Sequence, residues 1–483
     1  MNVIFILLDS MNRNYLPIYG NDWVKMPTID GLARTGIVFD NHWLGSAPCM
    51  PARRDILTGR LNLLERGWGA IEPKDVPFPR LLRQAGIKSH METDHYHYFH
   101  VGGENYHTLF STYGYHRGQE SDPWLSATVP PQEPEHLGNW VAQYDLNRQA
   151  FQTAADFSTP KTFQGAIEWL KRNEGLEDYL LWVEGFDPHE PFDCPEDYVA
   201  QYGDDWDGPR YDWTSYREPE GGEKATAHLR RQYAGTLNMA DEYMGKLFDE
   251  LKRQGTFNDA LIILTTDHGH MIGEHNATGK NRWHVWNQLG NIPLVVKLPG
   301  NRNAGQRRQQ LTQNIDVMPT LLDYFGVPFD HPIHGESLKD VFESNAPVQR
   351  EGAIYGWFGM PVNVTDGKYT YFRAAARKDN TPLYVHFQVP TTYNHHDVAD
   401  RLFYQDAEMG QFLPYTDLPV IRSRWFMNRW HTVEETQLFN IETDYGQEHN
   451  LAGTDMEKTY IELLRETMKK MDSPPSQFER LGL

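Results

Sequence analysis

Residues 46–60 read Ser46-Ala47-Pro48-Cys49-Met50-Pro51-Ala52-Arg53-Arg54-Asp55-Ile56-Leu57-Thr58-Gly59-Arg60. A lone cysteine is usually a small buried hydrophobic residue. Here Pro51 and Arg53 follow Cys49 at a set spacing and a Leu-Thr-Gly-Arg group closes the segment, so we interpret Cys49 as a reactive residue. A helix that begins near Pro51 would direct its N-terminal amide groups and the positive end of its dipole toward residue 49, which favours an anion there.

The charge of the chain limits how it can bind an anion. Acidic residues outnumber basic residues, 66 against 45, and the formal net charge is −21. This charge disfavours nonspecific binding to nucleic acid. An anionic ligand therefore needs a local positive site made of a metal ion or of clustered arginine and lysine. With 483 residues, of which 39% are hydrophobic, the chain can bury a large core in one α/β domain with a smaller companion.

The cysteines and the N-terminal residues of the sequence indicate the cellular compartment of the protein. Cys49 and Cys194 are the two cysteines of the sequence, and they cannot make a disulfide framework if Cys49 serves chemistry. The apolar run Val3–Leu8 is too short to span a membrane, and no signal-peptide features precede it. We predict a cytoplasmic protein with no membrane partner, although trimming of a leader would leave the same sequence.

Three apolar runs with polar residues after them organise the chain. Val3–Leu8 precedes Asp9, Tyr179–Gly185 precedes a segment that contains His189, and residues 260–265 precede Asp267. Continuous apolar runs are typical of strands covered on both faces in a parallel sheet. Ligands of such sheets bind at the carboxyl ends of the strands, so we expect the polar residues that follow these runs to form a site.

Together these motifs resemble the type I sulfatases of the alkaline phosphatase superfamily. The resemblance extends from residue 3 to about residue 452 and is most specific at residues 49–60 and 267–280. It implies an alkaline-phosphatase-like α/β fold, with a mixed sheet between helices in a catalytic domain of residues 1–350. It also implies a smaller α+β subdomain at residues 351–483, where alternating strands and an Asp-Gly pair predict an antiparallel sheet.

The resemblance implies a sulfuric ester hydrolase with a modified nucleophile. In this family the motif cysteine is oxidised to formylglycine, so Cys49 is expected to be the nucleophile precursor and a sulfatase-maturation enzyme a partner. A hydrated aldehyde suits this chemistry because it can expel sulfate by returning to the aldehyde. Arg53 is expected to face the nucleophile and the metal. Lys280 and His189, the latter in an Asp-Pro-His-x-Pro motif, are expected to contact the sulfate and the leaving oxygen.

The resemblance also implies a divalent-metal site at Asp9, residue 49, Asp267 and His268. Its mostly oxygen ligands favour Ca²⁺, and the imidazole also suits Mn²⁺ or Mg²⁺. The family strand ends in an Asp-Asp pair, whereas Ser10 follows Asp9 here, so Ser10 is not assigned as a ligand.

A second departure concerns the predicted substrate-binding residues. The family sequence Gly-Lys-Trp-His is replaced in the segment 93–97, where Asp94 stands in place of the lysine. We predict that Asp94, His95 and His97 bind substrate from a strand that lines a polar cleft, while the clustered histidines leave a metal cluster open as an alternative. His284 is predicted to join them, because it would share the face of the catalytic lysine if residues 280–284 were helical.

Two other functions stay open at this stage. A phosphonate monoester or phosphodiester hydrolase resembles the sulfatases in its formylglycine, and the departures at Ser10 and Asp94 are compatible with it. A catalytically silent carbohydrate-binding relative would use the aromatic residues between 203 and 223. The expected substrate is an anionic small-molecule or oligosaccharide sulfate ester, whose choice we assign to the insertion around His395 and His396. The sequence leaves open whether the chain forms a homo-oligomer.

Overall fold

The structure is a computed structural model that describes residues 1–282, 284–390, 406–425 and 435–483. His395 and His396 of the predicted specificity insertion lie outside the described residues. The strands are β1 (Val3–Leu8), β2 (Ile37–Phe39), β3 (His42–Trp43), β4 (Ser46–Ala47), β5 (Lys88–Thr93), β6 (Thr112–Tyr115), β7 (Tyr179–Gly185), β8 (Leu261–Thr265), β9 (Met271–Ile272), β10 (Thr278–Gly279), β11 (Leu294–Lys297), β12 (Gln306–Arg308), β13 (Thr312–Gln313), β14 (Ala353–Trp357), β15 (Val362–Thr365), β16 (Tyr369–Arg373), β17 (Tyr384–Phe387), β18 (Glu408–Gly410), β19 (Val420–Arg424) and β20 (Gln437–Asn440). The α-helices are α1 (Pro27–Thr35), α2 (Cys49–Thr58), α3 (Phe78–Gln84), α4 (Ala142–Arg148), α5 (Ser158–Arg172), α6 (Glu196–Ala200), α7 (Gly222–Arg253), α8 (Thr256–Asp259), α9 (Asn287–Gly290), α10 (Val317–Phe325), α11 (Lys339–Ser344), α12 (Met456–Lys470) and α13 (Pro475–Leu481).

A mixed sheet of eight strands forms the centre of the protein, in the order β12-β2-β11-β8-β1-β7-β5-β6. Strand β11 runs antiparallel to both of its neighbours, and the other neighbouring pairs of this sheet are parallel. The predicted strands Val3–Leu8 and Tyr179–Gly185 are found with the predicted bounds. They lie side by side, with β8 on the other side of β1, so their carboxyl ends meet at one edge.

Helices cover both faces of this sheet. The even-numbered side chains of β1 pack in one apolar cluster with α1, α5 and α7, and the odd-numbered side chains pack in a second cluster with α2, α3, α10 and α11. Each large side chain that is fully buried in this way contributes about 1.5–3 kcal/mol relative to an exposed one. Burial on both faces explains why the β1 sequence is continuously apolar, and the predicted mixed sheet between helices is confirmed.

A second sheet of five strands lies in the C-terminal part, in the order β20-β16-β15-β14-β4. Its four C-terminal strands are antiparallel, and β15 and β16 form the hairpin predicted from the Asp366-Gly367 pair. The predicted subdomain with an antiparallel sheet is therefore confirmed. Strand β4 comes from the first part of the chain and pairs with β14 in parallel, while the domain boundary at residue 350 stays a prediction.

One local prediction is wrong, and the helical condition placed on the role of His284 is not met. The segment after Thr93 is not a strand, because Tyr96–Phe99 forms a 3-10 helix. The backbone N–H of His95 donates to Thr93 Oγ1 at 3.0 Å, and this local bond turns the chain away from the sheet. Residues 280–282 and 284 are not helical, since they follow the short strand β10 and Gly279 has a φ of +87°.

In the described parts of the chain, no helix has both the length and the apolar character that a membrane span needs. The longest, α7, instead packs one face on the central sheet and carries charged residues along its length.

Candidate active site and metal centre

Four side chains converge where the carboxyl ends of β1 and β8 meet the first residue of helix α2. Asp9 follows β1, Asp267 and His268 follow β8, and Cys49 begins α2. Their ligand atoms all lie within 4.8 Å of one another, and all four side chains are buried. The structure therefore brings together the four residues predicted to hold a metal, in a set of two carboxylates, one imidazole and the atom at residue 49.

The state of His268 suits a metal ligand. Its Nδ1 lies 2.8 Å from the carbonyl oxygen of Gly269, and since a carbonyl only accepts, Nδ1 carries the proton. Nε2 then has a lone pair, and it lies 3.2 Å from Asp267 Oδ2 and 3.3 Å from Cys49 Sγ. Burial lowers the pKa of His268, so the ring stays neutral. A neutral imidazole with its second nitrogen fixed by a backbone carbonyl is the usual form of a metal-binding histidine.

Arg53 holds three carboxylates together inside the protein. Its guanidinium is fully buried and donates to Glu184 at 2.8 Å, to Asp267 at 2.5 Å and to Asp9 at 2.9 Å. Arg53 lies one helical turn after Cys49, so both side chains share a face of α2. Sequence reasoning missed Glu184, although a carboxylate within an apolar strand was a usable signal, because a buried charge requires a partner.

The buried network around Asp9 and Arg53 contains more carboxylates than permanently positive side chains. Burial opposes ionisation of Asp9, but the charges of Arg53, His189 and Lys280 outweigh it and hold the pKa of Asp9 well below its usual range. Two side chains in the network are permanently positive, Arg53 and Lys280. Four are carboxylates that contact them: Asp9, Asp267, Glu184 and Glu190. These four carboxylates and two permanent cations leave two uncompensated negative charges, which match one divalent cation.

Lys280 reaches this network through Ser10. The ammonium is 2% exposed, donates to Ser10 Oγ at 2.9 Å and lies 4.0 Å from Asp9. Ser10 Oγ in turn donates to Asp9 Oδ1 at 2.7 Å. Ser10 has a φ of +61°, which is uncommon for a residue other than glycine. The residue that replaces the second aspartate of the family thus joins the predicted catalytic lysine to a predicted metal ligand.

His189 lies on the neighbouring loop that follows β7. Its Nδ1 donates to the carbonyl oxygen of Glu190 at 2.7 Å, and its ring packs on Phe186 with 4.2 Å between ring centres. Nε2 makes no hydrogen bond within the described part of the chain, and the contact of His189 with substrate stays a prediction. Sequence reasoning missed Glu190, whose carboxylate lies 3.4 Å from His189 and 3.6 Å from Lys280.

His95 lies beside the Asp9 carboxylate, and His97 packs edge-on against His95 with 5.0 Å between ring centres. His95 is fully buried, and its Nδ1 is 4.0 Å from Asp9 Oδ2. His97 packs edge-on against Trp68, and its Nε2 lies 3.5 Å from a carboxylate oxygen of Glu120. Among the described residues, the clustered histidines do not form a set of converging metal ligands, whereas the Asp9 group does. The alternative of a histidine metal cluster is therefore not supported.

Asp94 and His284 have contacts of other kinds. The Asp94 carboxyl accepts from the backbone N–H of Phe186 at 2.8 Å, from Gln119 at 3.0 Å and from Thr159 at 2.7 Å. It thereby supports the loop that carries His189. His284 stacks on Phe372 with 5.3 Å between ring centres, and burial lowers its pKa to about 3. In the described ranges, neither side chain contacts the Cys49 group, and their substrate-binding role stays a prediction.

Comparison with known proteins gives a family match over most of the chain. A family model described as Sulfatase matches residues 1–327. A second model, described as N-sulphoglucosamine sulphohydrolase, C-terminal, matches residues 273–399.

Individual proteins are similar at lower identity. The arylsulfatase of Clostridium perfringens is 23% identical over 388 residues, which cover 72% of this chain and 80% of the relative. The N-acetylglucosamine-6-O-sulfatase of Bacteroides thetaiotaomicron is 24% identical over 433 residues, covering 75% of each. Among solved structures, the phosphonate monoester hydrolase of Agrobacterium radiobacter has a TM-score of 0.67 at 18% identity, covering 97% of this chain and 95% of that one.

The environment of Asp94 predicts a pH dependence of stability. Burial raises its pKa to about 6 in the folded protein, against the opposing hydrogen bonds of Gln119, Thr159 and Phe186. A raised carboxyl pKa gives a contribution to stability that is complete below about pH 4 and is lost as the pH rises through about 6. Between pH 4 and pH 7 the Asp94→Asn variant should lack this loss, which is on the order of 2 kcal/mol. Urea unfolding of both proteins across this pH range would measure it, and parallel curves would contradict the prediction.

Proposed function

Because this chain belongs to the sulfatase family and is a sulfuric ester hydrolase, we propose that it hydrolyses the sulfate ester of a carbohydrate or of a small organic sulfate. The observation that carries this proposal is the buried convergence of Cys49, at the start of α2, with Asp9, Asp267 and His268. The N-acetylglucosamine-6-O-sulfatase relative supports a carbohydrate as the alcohol part. Family membership also speaks against the catalytically silent alternative.

The nucleophile is proposed to be formylglycine made from Cys49 by a maturation enzyme. Burial, and after it the charge of Asp9, raises the pKa of the Cys49 thiol well above its usual range. The unmodified thiol therefore carries little thiolate at neutral pH and is a weak nucleophile. The hydrated aldehyde supplies an oxygen that attacks sulfur and can later expel sulfate by re-forming the aldehyde.

The chain's own residues fit a divalent cation at this place. Asp9, Asp267, His268 and the oxygen at residue 49 would hold it, and we propose Ca²⁺, with Mn²⁺ or Mg²⁺ as alternatives that also suit oxygen ligands with one imidazole. The cation supplies positive charge that favours an anionic oxygen at residue 49. Arg53 keeps the two aspartates in place by its ion pairs with both.

The remaining residues act on the sulfate and on the leaving alcohol. Lys280 and His189 are proposed to bind the sulfate oxygens, and one of them gives a proton to the leaving oxygen. His95 and His97 are proposed to contact the substrate, since His95 lies beside Asp9 and His97 packs against both His95 and Trp68. For Asp94 and His284 a substrate contact remains a proposal that the contacts of these side chains do not favour.

Phosphonate monoester hydrolysis is a second candidate, and one specific observation favours it. Ser10 replaces the second aspartate of the sulfatase pair, so one carboxylate fewer surrounds the metal and the net charge offered to a substrate differs. The likeness to the phosphonate monoester hydrolase of Agrobacterium radiobacter is a likeness of fold. The two candidates therefore have to be separated by activity.

Replacement of Cys49 tests the proposed nucleophile. The Cys49→Ala variant should lose sulfatase activity by about 10³-fold or more. It should stay folded and still bind metal, because Asp9, Asp267 and His268 remain when the nucleophile is removed. Rates on 4-nitrophenyl sulfate and the metal content of both proteins would test this. Cys194→Ala removes the other buried cysteine and serves as the matched control. Mass spectrometry of the Cys49 peptide should show the thiol replaced by an aldehyde, and an unmodified cysteine in active protein would contradict the mechanism.

Replacement of His268 tests the proposed metal ligands. His268→Ala should weaken metal binding by at least about tenfold, since the variant loses a ligand rather than an outer contact. His270→Ala is the matched control, because His270 is also buried but lies outside the ligand group. Elemental analysis after dialysis against a defined metal buffer, followed by calcium titration, would give both affinities. Equal metal binding by the two variants would exclude the proposed ligand set.

The relative rates on a sulfate ester and a phosphonate ester separate the two candidate reactions. With matched leaving groups, the protein should have a higher kcat/KM on 4-nitrophenyl sulfate than on a 4-nitrophenyl phosphonate ester. Steady-state rates on both esters, measured with the same preparation and the same metal, give the comparison. A preference for the phosphonate would reverse the assignment while leaving the nucleophile and the metal site as proposed.

A further inference from the structure

Glu190 is a buried carboxylate between the two side chains proposed to act on the leaving group. It is 0% exposed. Its Oε2 lies 3.4 Å from His189 Nδ1 and 3.6 Å from Lys280 Nζ. A single carboxylate oxygen therefore lies within ion-pair distance of both groups to which we have assigned the leaving proton.

The carboxylate of Glu190 is held in place from its other side. Tyr216 donates a short hydrogen bond to Oε1. The ring of His270 is fully buried, and its Nδ1 lies 3.6 Å from Oε2. Tyr216 and His270 come from two separate segments of the chain, so Oε1 is held by a tertiary hydrogen bond while Oε2 faces His189, His270 and Lys280 at 3.4–3.6 Å without a hydrogen bond to them.

A negative charge at this position works against binding of an anion. Removing a carboxylate from water costs free energy, and a carboxylate near the sulfate repels it. Burial opposes its ionisation, but His189, Lys280 and His270 outweigh burial and hold the pKa of Glu190 well below its usual range. The carboxylate is therefore charged, and its unfavourable effect on anion binding calls for a compensating role.

Lys280 shows what that role is. Its ammonium contacts Ser10 Oγ on the side of the metal ligands and Glu190 on the side of His189. A lysine side chain is flexible and binds as a point charge, so its position depends on such partners. Of the two carboxylates near the ammonium, Glu190 at 3.6 Å is closer than Asp9 at 4.0 Å.

We propose that Glu190 is a positioning residue that holds Lys280 and His189 against the oxygen of the leaving alcohol, with Tyr216 and His270 fixing its carboxylate. This inference rests on the proposed ester hydrolysis at residue 49. It assigns to Glu190 a part in proton delivery to the leaving group and no direct contact with the sulfate.

The test is the leaving-group dependence of the Glu190→Gln variant, with formylglycine-containing protein. Glutamine keeps the size of the side chain and can still accept from Tyr216, but it has no charge. On an alkyl sulfate, whose alcohol needs a proton to leave, kcat should fall by about 10²-fold, the lower range for general acid catalysis. On 4-nitrophenyl sulfate, whose leaving group departs as an anion, the fall should be less than about threefold and KM should not rise.

Glu92→Gln is the matched control. Glu92 is another buried carboxylate between two histidines, with His90 at 2.9 Å and His116 at 2.7 Å, but it lies outside the Cys49 group. The Glu92→Gln substitution should change the rates on all esters by the same factor. Tyr216→Phe is the substitute test if Glu190→Gln does not fold. It keeps the charge of Glu190 and removes its hydrogen bond, so it should steepen the leaving-group dependence in the same direction.

A double-variant cycle asks whether Glu190 acts through the lysine. Adding Glu190→Gln to Lys280→Ala should lower the alkyl sulfate rate by much less than it lowers the wild-type rate, because residues that act as a unit are not additive. Equal losses on all esters, or full additivity with Lys280→Ala, would overturn the inference while wild-type activity stands. Wild-type protein that is inactive on every sulfate ester would instead overturn the proposed function.

Discussion

The buried guanidinium of Arg53 is the interaction on which the site depends. Its three ion pairs join a residue within β7 to the residues that follow β1 and β8, so one side chain of α2 fixes the edges of three adjacent strands. Removing one partner from a buried pair of this kind costs about 3–5 kcal/mol because the other charge is left uncompensated. The same contacts aim Asp9 and Asp267 at the first residue of α2. Stability and the geometry of the centre therefore share one residue.

The electrostatic design is local rather than global. The chain as a whole is strongly acidic, and even the centre has more carboxylates than permanent cations. A divalent cation bound at the Asp9 group would offset the two uncompensated negative charges and place positive charge within a few ångströms of a small anion, in a low-dielectric interior. Ser10 fits this arrangement, because a hydroxyl can accept from Lys280 and donate to Asp9 without adding a further negative charge.

The parts of the fold that could be predicted from sequence are those in which one segment carries its own signal. β1 and β7 have continuous apolar runs because both of their faces are covered, and α2 follows from a motif with set spacing. Glu190 could not be found in this way, since Lys280, Tyr216 and His270 reach it from distant positions. The alternation of His95 to Tyr98 is equally compatible with a strand and a tight helix, and the Thr93 side chain decides between them. Asp94 stands in register with a family lysine, yet its partners are the groups that support the next loop.

The pairing of β4 with β14 ties the backbone beside the proposed nucleophile to a late part of the chain. Ser46 and Ala47 of β4 stand directly before Pro48 and Cys49, and their partner strand belongs to the last third of the chain. In the folded protein Cys49 is 3% exposed, and the two residues before Pro48 are held in a sheet. If the proposed modification of Cys49 requires an accessible peptide, it would have to come before β14 pairs with β4, and completion of the second sheet would end the period in which residue 49 can be changed.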